Sequence, residues 1–224
     1  MTPNIYVYKC VVDDGTAPCT DGGLLSMTVC KPKVRTSAKV GDIVMAFGTN
    51  AHPAPNRLVY AAKITEVIPD AAYFDQPKYQ KRQDCIYKRN PQGALKLVDG
   101  VSDHNTGTHA KDLGPPPNYP NAIALISNDF RYFGGAGTDD WKEYSPHLKK
   151  MIDALGQGHR VNHTREVRDD LLKLVARVWK QFPKKVNGKP RHATDTAAAP
   201  AAKKAKPATS AKAAKPKKPK ATGR

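Results

Sequence analysis

The sequence predicts an α+β domain over residues 1–183, followed by a disordered basic tail over residues 184–224. Short β-rich segments dominate the first half of the domain, and two amphipathic helical patterns end it. The tail is predicted to be disordered because residues 197–224 contain no Leu, Ile, Val or aromatic residue. Such a segment cannot bury enough apolar surface to offset its chain entropy.

Six segments carry the strand pattern, each bounded by turn-forming residues. They are residues 4–11, 24–30, 40–48, 57–68, 94–98 and 122–127. About twenty residues rich in Gly, Pro and His separate the last two segments, and connections of this length are often functional.

Two helical segments are predicted to cover the sheet. In residues 145–156, Ser145 suits the N-cap, Pro146 suits the first helical position and Gly156 suits the C′ position. In residues 164–182 one face is apolar at Val167, Leu171, Leu174, Val175, Val178 and Phe182.

The charge distribution favours a polyanionic partner. The net charge is +17, and residues 184–224 hold 13 Lys and Arg against one acidic residue, Asp195. Binding of such a tail to a phosphate backbone releases counterions and gives salt-sensitive, sequence-independent affinity. Nucleic acid is therefore the expected partner, DNA rather than RNA, although another acidic surface or a solvated tail without a partner fits the same composition. The candidate contacts in the tail are Lys203, Lys204, Lys217 and Lys218.

Other features limit the class of protein. No apolar run approaches the roughly 18 residues of a membrane span, and no signal-peptide pattern begins the chain. The four cysteines lack the spacing of a metal-binding pair. We therefore expect a cytoplasmic, DNA-associated protein with reduced thiols, no metal, no cofactor and no membrane partner. The sequence does not predict its oligomeric state.

The segment "DDGTAPCTDGGLLSMTVCKPKVR", residues 13–35, has two interpretations. Asp14 and its neighbouring Gly and Pro residues are sufficient for a simple tight turn. Alternatively, the turn presents Cys19 at the rim of a pocket, where Lys31 and Arg35 contact phosphate. The proline before Cys19 invites comparison with nucleophilic cysteines such as those of thymidylate synthases, but a buried thiol is the simpler interpretation.

Two further segments carry candidate nucleotide contacts. Around Asp84 and Tyr87, aromatic residues alternate with cations, an arrangement that can stack bases and hold phosphates. The alternative there is a solvated surface with tyrosines packed inward. In "SNDFRYFGGAG", residues 127–137, the glycines do not match a phosphate-loop pattern. A strand end and a glycine turn are expected instead, with Ser127, Phe130 and Tyr132 as candidate pocket residues.

The histidines offer no recognised catalytic motif. The patterns of zinc deaminases, zinc peptidases and nucleophile-elbow hydrolases are all missing from the sequence. His159 and Arg160 follow a predicted helix end, where they can contact phosphate or the last carbonyls of the helix.

Two resemblances add to these observations. "VGDIVMAFG" and "RLVYAAKITEVIPDAAYF" resemble the core of PUA-like domains, the superfamily of the ASCH and EVE modules. This resemblance implies a small mixed or antiparallel β-barrel, with Lys63 as a candidate nucleotide contact. More closely, the segment from Tyr8 to Arg35, "DCIY", "ALISNDFRYFG" and "GQGHR" resemble the second of the nucleotide modification-associated domain families. That likeness spans about residues 4–160. It implies a bacterial or phage protein with a role around modified nucleotides, but it implies no particular reaction.

Two hypotheses follow. The first is a PUA-like binding module for modified nucleotides or DNA, whose basic tail adds affinity. The alternative is an enzyme acting on a nucleotide or a DNA base, centred on Asp14, Cys19, Lys31 and a histidine such as His159. Convergence of Asp14, Cys19, Lys31, Asp84 and a histidine in one pocket would favour the enzyme, whereas an open groove lined by aromatic and basic side chains would favour the binding module.

Overall fold

The computed structural model describes residues 2–49, 54–99, 101, 106–156 and 158–192 of the chain. Each of the six predicted strand segments contains a strand, and the segment 57–68 contains two. The strands are β1 Ile5–Lys9, β2 Leu25–Met27, β3 Ile43–Phe47, β4 Leu58–Lys63, β5 Glu66–Ile68, β6 Tyr87–Arg89, β7 Leu95–Leu97, β8 Ala124–Ser127, β9 Asp129–Tyr132 and β10 His159–Arg160.

A five-stranded sheet lies at the centre of the fold, in the order β10-β1-β3-β4-β9. β1 and β3 are parallel, whereas the other neighbouring pairs are antiparallel. Along β1, Ile5 and Val7 pack into one core, and Tyr6 and Tyr8 pack into the other. Burial on both faces explains why the central strands are almost continuously apolar.

The strands of the described residues do not close into the small barrel implied by the PUA-like resemblance. β2, β8 and β5 form a second, three-stranded sheet, and β6 and β7 form a separate hairpin. The chain changes sheets between β4 and β5, because β4 pairs with β9 while β5 pairs with β8. Among the described residues the outer strands β10 and β9 of the central sheet do not pair with each other. The fold is therefore mixed α+β with several sheets.

Helices cover the central sheet on one face. α4 Pro146–Asp153 and α5 Arg165–Gln181 occupy the two predicted helical segments. Ser145 was expected to cap α4, but its side chain makes no capping hydrogen bond. Instead Asp170 of α5 accepts the backbone N–H groups of His147 and Leu148, both at 3.1 Å. The carboxylate takes the place of a local cap and joins the two helices.

Three shorter helices lie in segments without a predicted helix: α1 Pro32–Ser37, α2 Ala72–Asp75 and α3 Thr106–Leu113. α3 occupies part of the long stretch that was expected to be a functional loop. Its sequence, TGTHAKDL, contains one large apolar residue, so it lacks the periodicity by which an amphipathic helix is recognised.

Residues 184–192, which we call the C-terminal strap, lie against β9 although the sequence assigned them to the tail. Val186 bridges Tyr132 in parallel register, and Asn187 N–H donates to the Tyr132 carbonyl at 2.8 Å. A Cβ at Gly188 would lie 2.0 Å from the Phe133 carbonyl oxygen. The strap can approach this closely only at glycine. The described residues therefore pack against the central sheet beyond residue 183, as far as His192.

Candidate functional site

The turn at residues 13–18 folds around local hydrogen bonds. The Asp14 carboxylate accepts the Thr16 N–H at 2.9 Å, and Gly15 adopts a φ of 94°. Gln83 donates from its side chain to the Asp14 carbonyl at 3.2 Å. These contacts account for Asp14 as a turn residue, as the simpler interpretation predicts.

Cys19 lies in the interior. Its side chain is fully buried, and its backbone forms an antiparallel bridge with Ser26. Burial raises the pKa of the Cys19 thiol, and the nearby Asp84 carboxylate raises it further. A thiol in these surroundings is a poor nucleophile at neutral pH.

Asp84 is also fully buried, where its carboxylate accepts hydrogen bonds from two side chains and forms an ion pair with a third. Ser26 Oγ donates to it at 2.5 Å, and the Tyr73 hydroxyl donates at 2.7 Å. Arg82 Nε lies 3.4 Å from the same carboxylate, and the Arg82 guanidinium also donates to the carbonyls of Leu24 and Cys19. This network, which we call the Asp84 network, joins the segment 13–35 to the segment 69–93 inside the protein rather than around a cavity.

Arg35 was expected to contact phosphate, but the structure buries it completely. Its guanidinium donates to the carbonyls of Cys30, Asn121, Ile123 and Asp112 and lies 3.6 Å from the Asp112 carboxylate. Burial lowers its pKa, and the nearby carboxylate opposes that shift. The side chain therefore holds α1 against the segment that contains α3.

The four candidates Tyr87, Ser127, Phe130 and Tyr132 are buried as well. The Tyr87 ring packs edge-to-face against the Phe74 ring and tilted against the His109 ring, at centroid distances of 5.2 and 4.6 Å. Ser127 Oγ donates to the Asp129 carbonyl at 3.0 Å. Phe130 and Tyr132 belong to the core between the two main sheets. All four side chains therefore pack inside the protein. For Tyr87 this agrees with the alternative interpretation of the aromatic segment, in which tyrosines pack inward.

Three other candidates lie on or near the surface, at two places. Lys63 is partly exposed, 3.3 Å from the Asp129 carboxylate and above the Trp179 ring. In β10, His159 is half-buried opposite Tyr8, and Arg160 is exposed opposite Val7. The tail candidates Lys203, Lys204, Lys217 and Lys218 lie outside the described residues.

These placements do not assemble the catalytic set that the enzyme hypothesis requires. Among the residues that the structure describes, no hydrogen bond or ion pair joins Asp14, Cys19 and Lys31 to one another. Lys31 instead belongs to a crevice at the carboxyl-terminal ends of the parallel strands β1 and β3.

This strand-end crevice has a volume of about 250 Å³. Ligand sites in open sheets commonly lie just outside the carboxyl ends of parallel strands. β1 contributes its last residue and the exposed segment that follows it, and β3 contributes the segment after its end. The end of α4 with the residues after it forms another wall, and Lys31, just before α1, forms the last. The lining residues are Lys9, Val11, Lys31, Thr49, Asp153, Leu155 and Gly156.

A chain of polar contacts forms one wall of the crevice. Asn56 is buried and donates from Nδ2 to Asp153 Oδ1 at 2.8 Å, while its Oδ1 accepts a hydrogen bond from Lys9 Nζ. Lys149 Nζ donates to the other Asp153 oxygen at 2.7 Å. Because the Asn56 amide must accept from an ammonium and donate to a carboxylate, its orientation is determined, and it holds Lys9 in place.

Lys31 occupies another wall, in a different electrostatic environment. It adopts a left-handed backbone conformation with φ 44°, and its Nζ lies 4.8 Å from the centre of the Tyr8 ring and 3.4 Å from the Gly158 carbonyl. Among the described residues it has no carboxylate partner. Burial lowers the pKa of Lys31 and also that of Lys9. An anion in the crevice would offset this cost of burying the two ammonium groups.

Apolar side chains complete the crevice. Val11 is 61% exposed, an unusual fraction for valine, and Leu155 is half-buried beside it in the lining. The site thus combines two ammonium groups, a carboxylate, a hydroxyl and two aliphatic side chains. This set suits a ligand with an anionic group and a flat, partly apolar body.

Sequence reasoning identified Lys31 but not Lys9, Asn56 or Asp153. Lys9 lies inside the predicted strand segment 4–11, so the sequence pattern did not indicate that β1 ends there. Asn56 and Asp153 belong to a turn and a helix end, and nothing in either local pattern predicts their contact.

A second cavity, of about 130 Å³, lies beside the end of α5. Its walls are mainly Leu58, Phe133, Trp141, Leu174 and Val178, and no Lys or Arg lines it. It is therefore less suited to an anionic ligand than the strand-end crevice.

The described residues form neither a metal-binding cluster nor a membrane-spanning helix. No group of three or more His, Cys, Asp or Glu side chains has the arrangement of a metal site. No helix there has the length and apolar character needed to cross a bilayer.

Comparison with known proteins identifies the family. The family model described as nucleotide modification associated domain 2 matches residues 2–197. No curated protein and no solved structure matches the chain. The family match covers the central sheet, both main helices, the strand-end crevice and the C-terminal strap. The chain therefore belongs to the nucleotide modification associated domain 2 family.

Proposed function

We propose that this domain binds a nucleotide, one carrying a modified base in DNA, in the strand-end crevice. Family membership relates the chain to nucleotide modification. The observation that carries the proposal is the half-buried Lys31, which faces a cavity without a carboxylate partner among the described residues. A cation in that position favours an anionic ligand, and the phosphate of a nucleotide supplies the charge.

Each wall has a role in this proposal. Lys31 and Lys9 contact the phosphate, and Val11 and Leu155 pack against the base or the sugar. Asp153 and Thr49 offer an acceptor and a hydroxyl to the polar edge of the base. The volume of about 250 Å³ lies near the lower end of small-molecule sites. A single nucleotide unit is thus the best fit.

Titration calorimetry with deoxynucleoside 5′-monophosphates, with and without a 5-hydroxymethyl group on cytosine, tests the crevice. We expect the wild-type protein to bind and Lys31→Ala to lose roughly 10- to 100-fold in affinity, as for a charge-assisted hydrogen bond. The matched control is Lys39→Ala, because Lys39 is exposed and lies outside the crevice. Equal affinity of the Lys31 variant and the wild-type protein would overturn the proposal.

A second experiment separates the domain from the tail. The chain is cut after residue 194, which retains the C-terminal strap, and is compared with the full chain on oligonucleotides with and without the modified base. We expect the shorter chain to keep its preference for one of them while its affinity falls and depends less on salt. Loss of all discrimination in the shorter chain would contradict a nucleotide-reading domain.

A further inference from the structure

The hairpin formed by β6 and β7 carries a charge arrangement that the crevice does not explain. Its register pairs Tyr87 with Leu97, Lys88 with Lys96 and Arg89 with Leu95. The turn is held by Asn90, whose side-chain oxygen accepts the Gln92 and Ala94 N–H groups at 3.1 and 2.8 Å. The register of the two lysines is therefore firmly determined.

One face of the hairpin is buried and the other is open. Tyr87 and Leu95 are 1% and 4% exposed and pack into the core beneath the second sheet. Lys88 and Lys96 project from the opposite face and are exposed. Directly opposite residues in an antiparallel pair have Cβ atoms only about 4.5–5.5 Å apart, so two like charges there repel each other.

Arg89, the residue after Lys88, differs from the two lysines because it has a carboxylate partner. Arg89 donates to both oxygens of Asp75, at 3.1 and 2.9 Å. Lys88 and Lys96 have no carboxylate partner among the described residues. The exposed residues Lys78 and Lys81 precede the hairpin and add positive charge to the segment leading into it.

We propose that Lys88 and Lys96, the lysine face of the hairpin, contact the phosphate backbone of a polynucleotide. This inference rests on the proposed function and adds a second contact outside the crevice, for the polynucleotide chain that carries the bound nucleotide. Phosphates placed at the lysine face relieve the repulsion between the two ammonium groups. An open two-stranded surface offers no pocket for a base, so the contact is with the backbone and is independent of sequence.

Protection of a sheet edge gives the same two lysines a purely structural role. Exposed lysines on short strands discourage edge-to-edge association of β-sheets. The two explanations differ in their consequences, because only the backbone contact affects binding of a polynucleotide.

The test uses full-length Lys96→Glu and Lys88→Glu, each of which converts the repelling pair into an attractive one. We expect the melting temperature to rise by about 1–3 °C. We expect affinity for a 20-nucleotide DNA to fall, and the slope of log K against log salt to shrink by about 1. Affinity for a deoxynucleoside monophosphate should not change. Lys96→Gln removes the charge without reversing it and should act in the same direction by a smaller amount.

Lys173→Glu is the matched control, because it changes the net charge equally on an exposed position of α5. If Lys96→Glu and Lys173→Glu have the same oligonucleotide affinity and salt slope, the lysine face does not bind the backbone. That result leaves mononucleotide binding in the crevice untouched. Conversely, loss of oligonucleotide affinity in Lys96→Glu with no mononucleotide binding by the wild-type protein would support the hairpin contact and reject the crevice.

Discussion

The hydroxyl of Tyr132 donates a 2.7 Å hydrogen bond to the buried carboxylate of Asp13. This bond joins β9, at one edge of the central sheet, to the turn that follows β1. The C-terminal strap completes this contact. His192 N–H donates to the Asp13 carbonyl at 2.7 Å, and Arg191 N–H approaches the Asp13 carboxylate at 3.4 Å. Asp13 lies two residues beyond Val11 of the strand-end crevice, so the strap supports the segment that lines the proposed site.

Truncation tests this role of the strap. A chain that ends at residue 183 loses four backbone hydrogen bonds of the strap, two with Tyr132, one with Gly135 and one with Asp13. Each such bond contributes about 0.5–1.5 kcal/mol, so we expect the free energy of unfolding to fall by roughly 2–6 kcal/mol. A chain that ends at residue 194 should keep the stability of the full-length protein. Urea denaturation measures both, and equal stability of the two truncations would show that the strap contributes nothing.

The Asp84 network makes a prediction about stability rather than binding. Asp84→Asn places an amide NH₂ against the donors Ser26, Tyr73 and Arg82. It also leaves the Arg82 guanidinium without the buried carboxylate that balances its charge. We expect a loss of about 3–5 kcal/mol in the free energy of unfolding. Asp75→Asn is the control, because its pair with Arg89 is exposed and should contribute about 0–1 kcal/mol. A stable Asp84 variant that loses nucleotide binding would instead assign Asp84 to the ligand.

The pH dependence of stability can be traced in part to His163. Its Nε2–H donates to the Ile5 carbonyl at 2.7 Å, and burial lowers its pKa below the usual value near 6.5. As the pH falls, the unfolded chain therefore takes up a proton on His163 at a higher pH than the folded protein does. Stability that is present above about pH 6.5 is lost as the pH falls toward the lowered pKa.

His163→Gln checks this assignment, because glutamine can keep a donor near Ile5 without titrating. We expect the free energy of unfolding to decline less between pH 7 and pH 5 than in the wild-type protein. His147→Gln, at an exposed position of α4, serves as the reference. Identical pH profiles for His163→Gln and the wild-type protein would remove His163 from the explanation.

Several expectations from the sequence agree with the structure for reasons that are local. The strand segments around Ile5, Ile43 and Leu58 are apolar on alternate and often successive positions, as sheets buried on both faces require. The apolar stripe of α5 predicts its buried face, apart from Phe182, which is 36% exposed. The turn chemistry of Asp14 and Gly15 was also apparent.

The sequence by itself therefore determined the positions of most strands and of the two main helices along the chain, because periodicity and turn residues act over a few neighbouring positions. It also determined the basic charge balance and the family resemblance. Only the tertiary structure decided which charged residues are available to a ligand. Arg35 and Asp84 are buried because carbonyls and hydroxyls from distant segments satisfy them. Lys31 and Lys9 line a cavity because two strand ends and the end of α4 meet there. A charged side chain looks the same in a sequence whether its partners are water or the rest of the fold, and only the fold brings those partners to it.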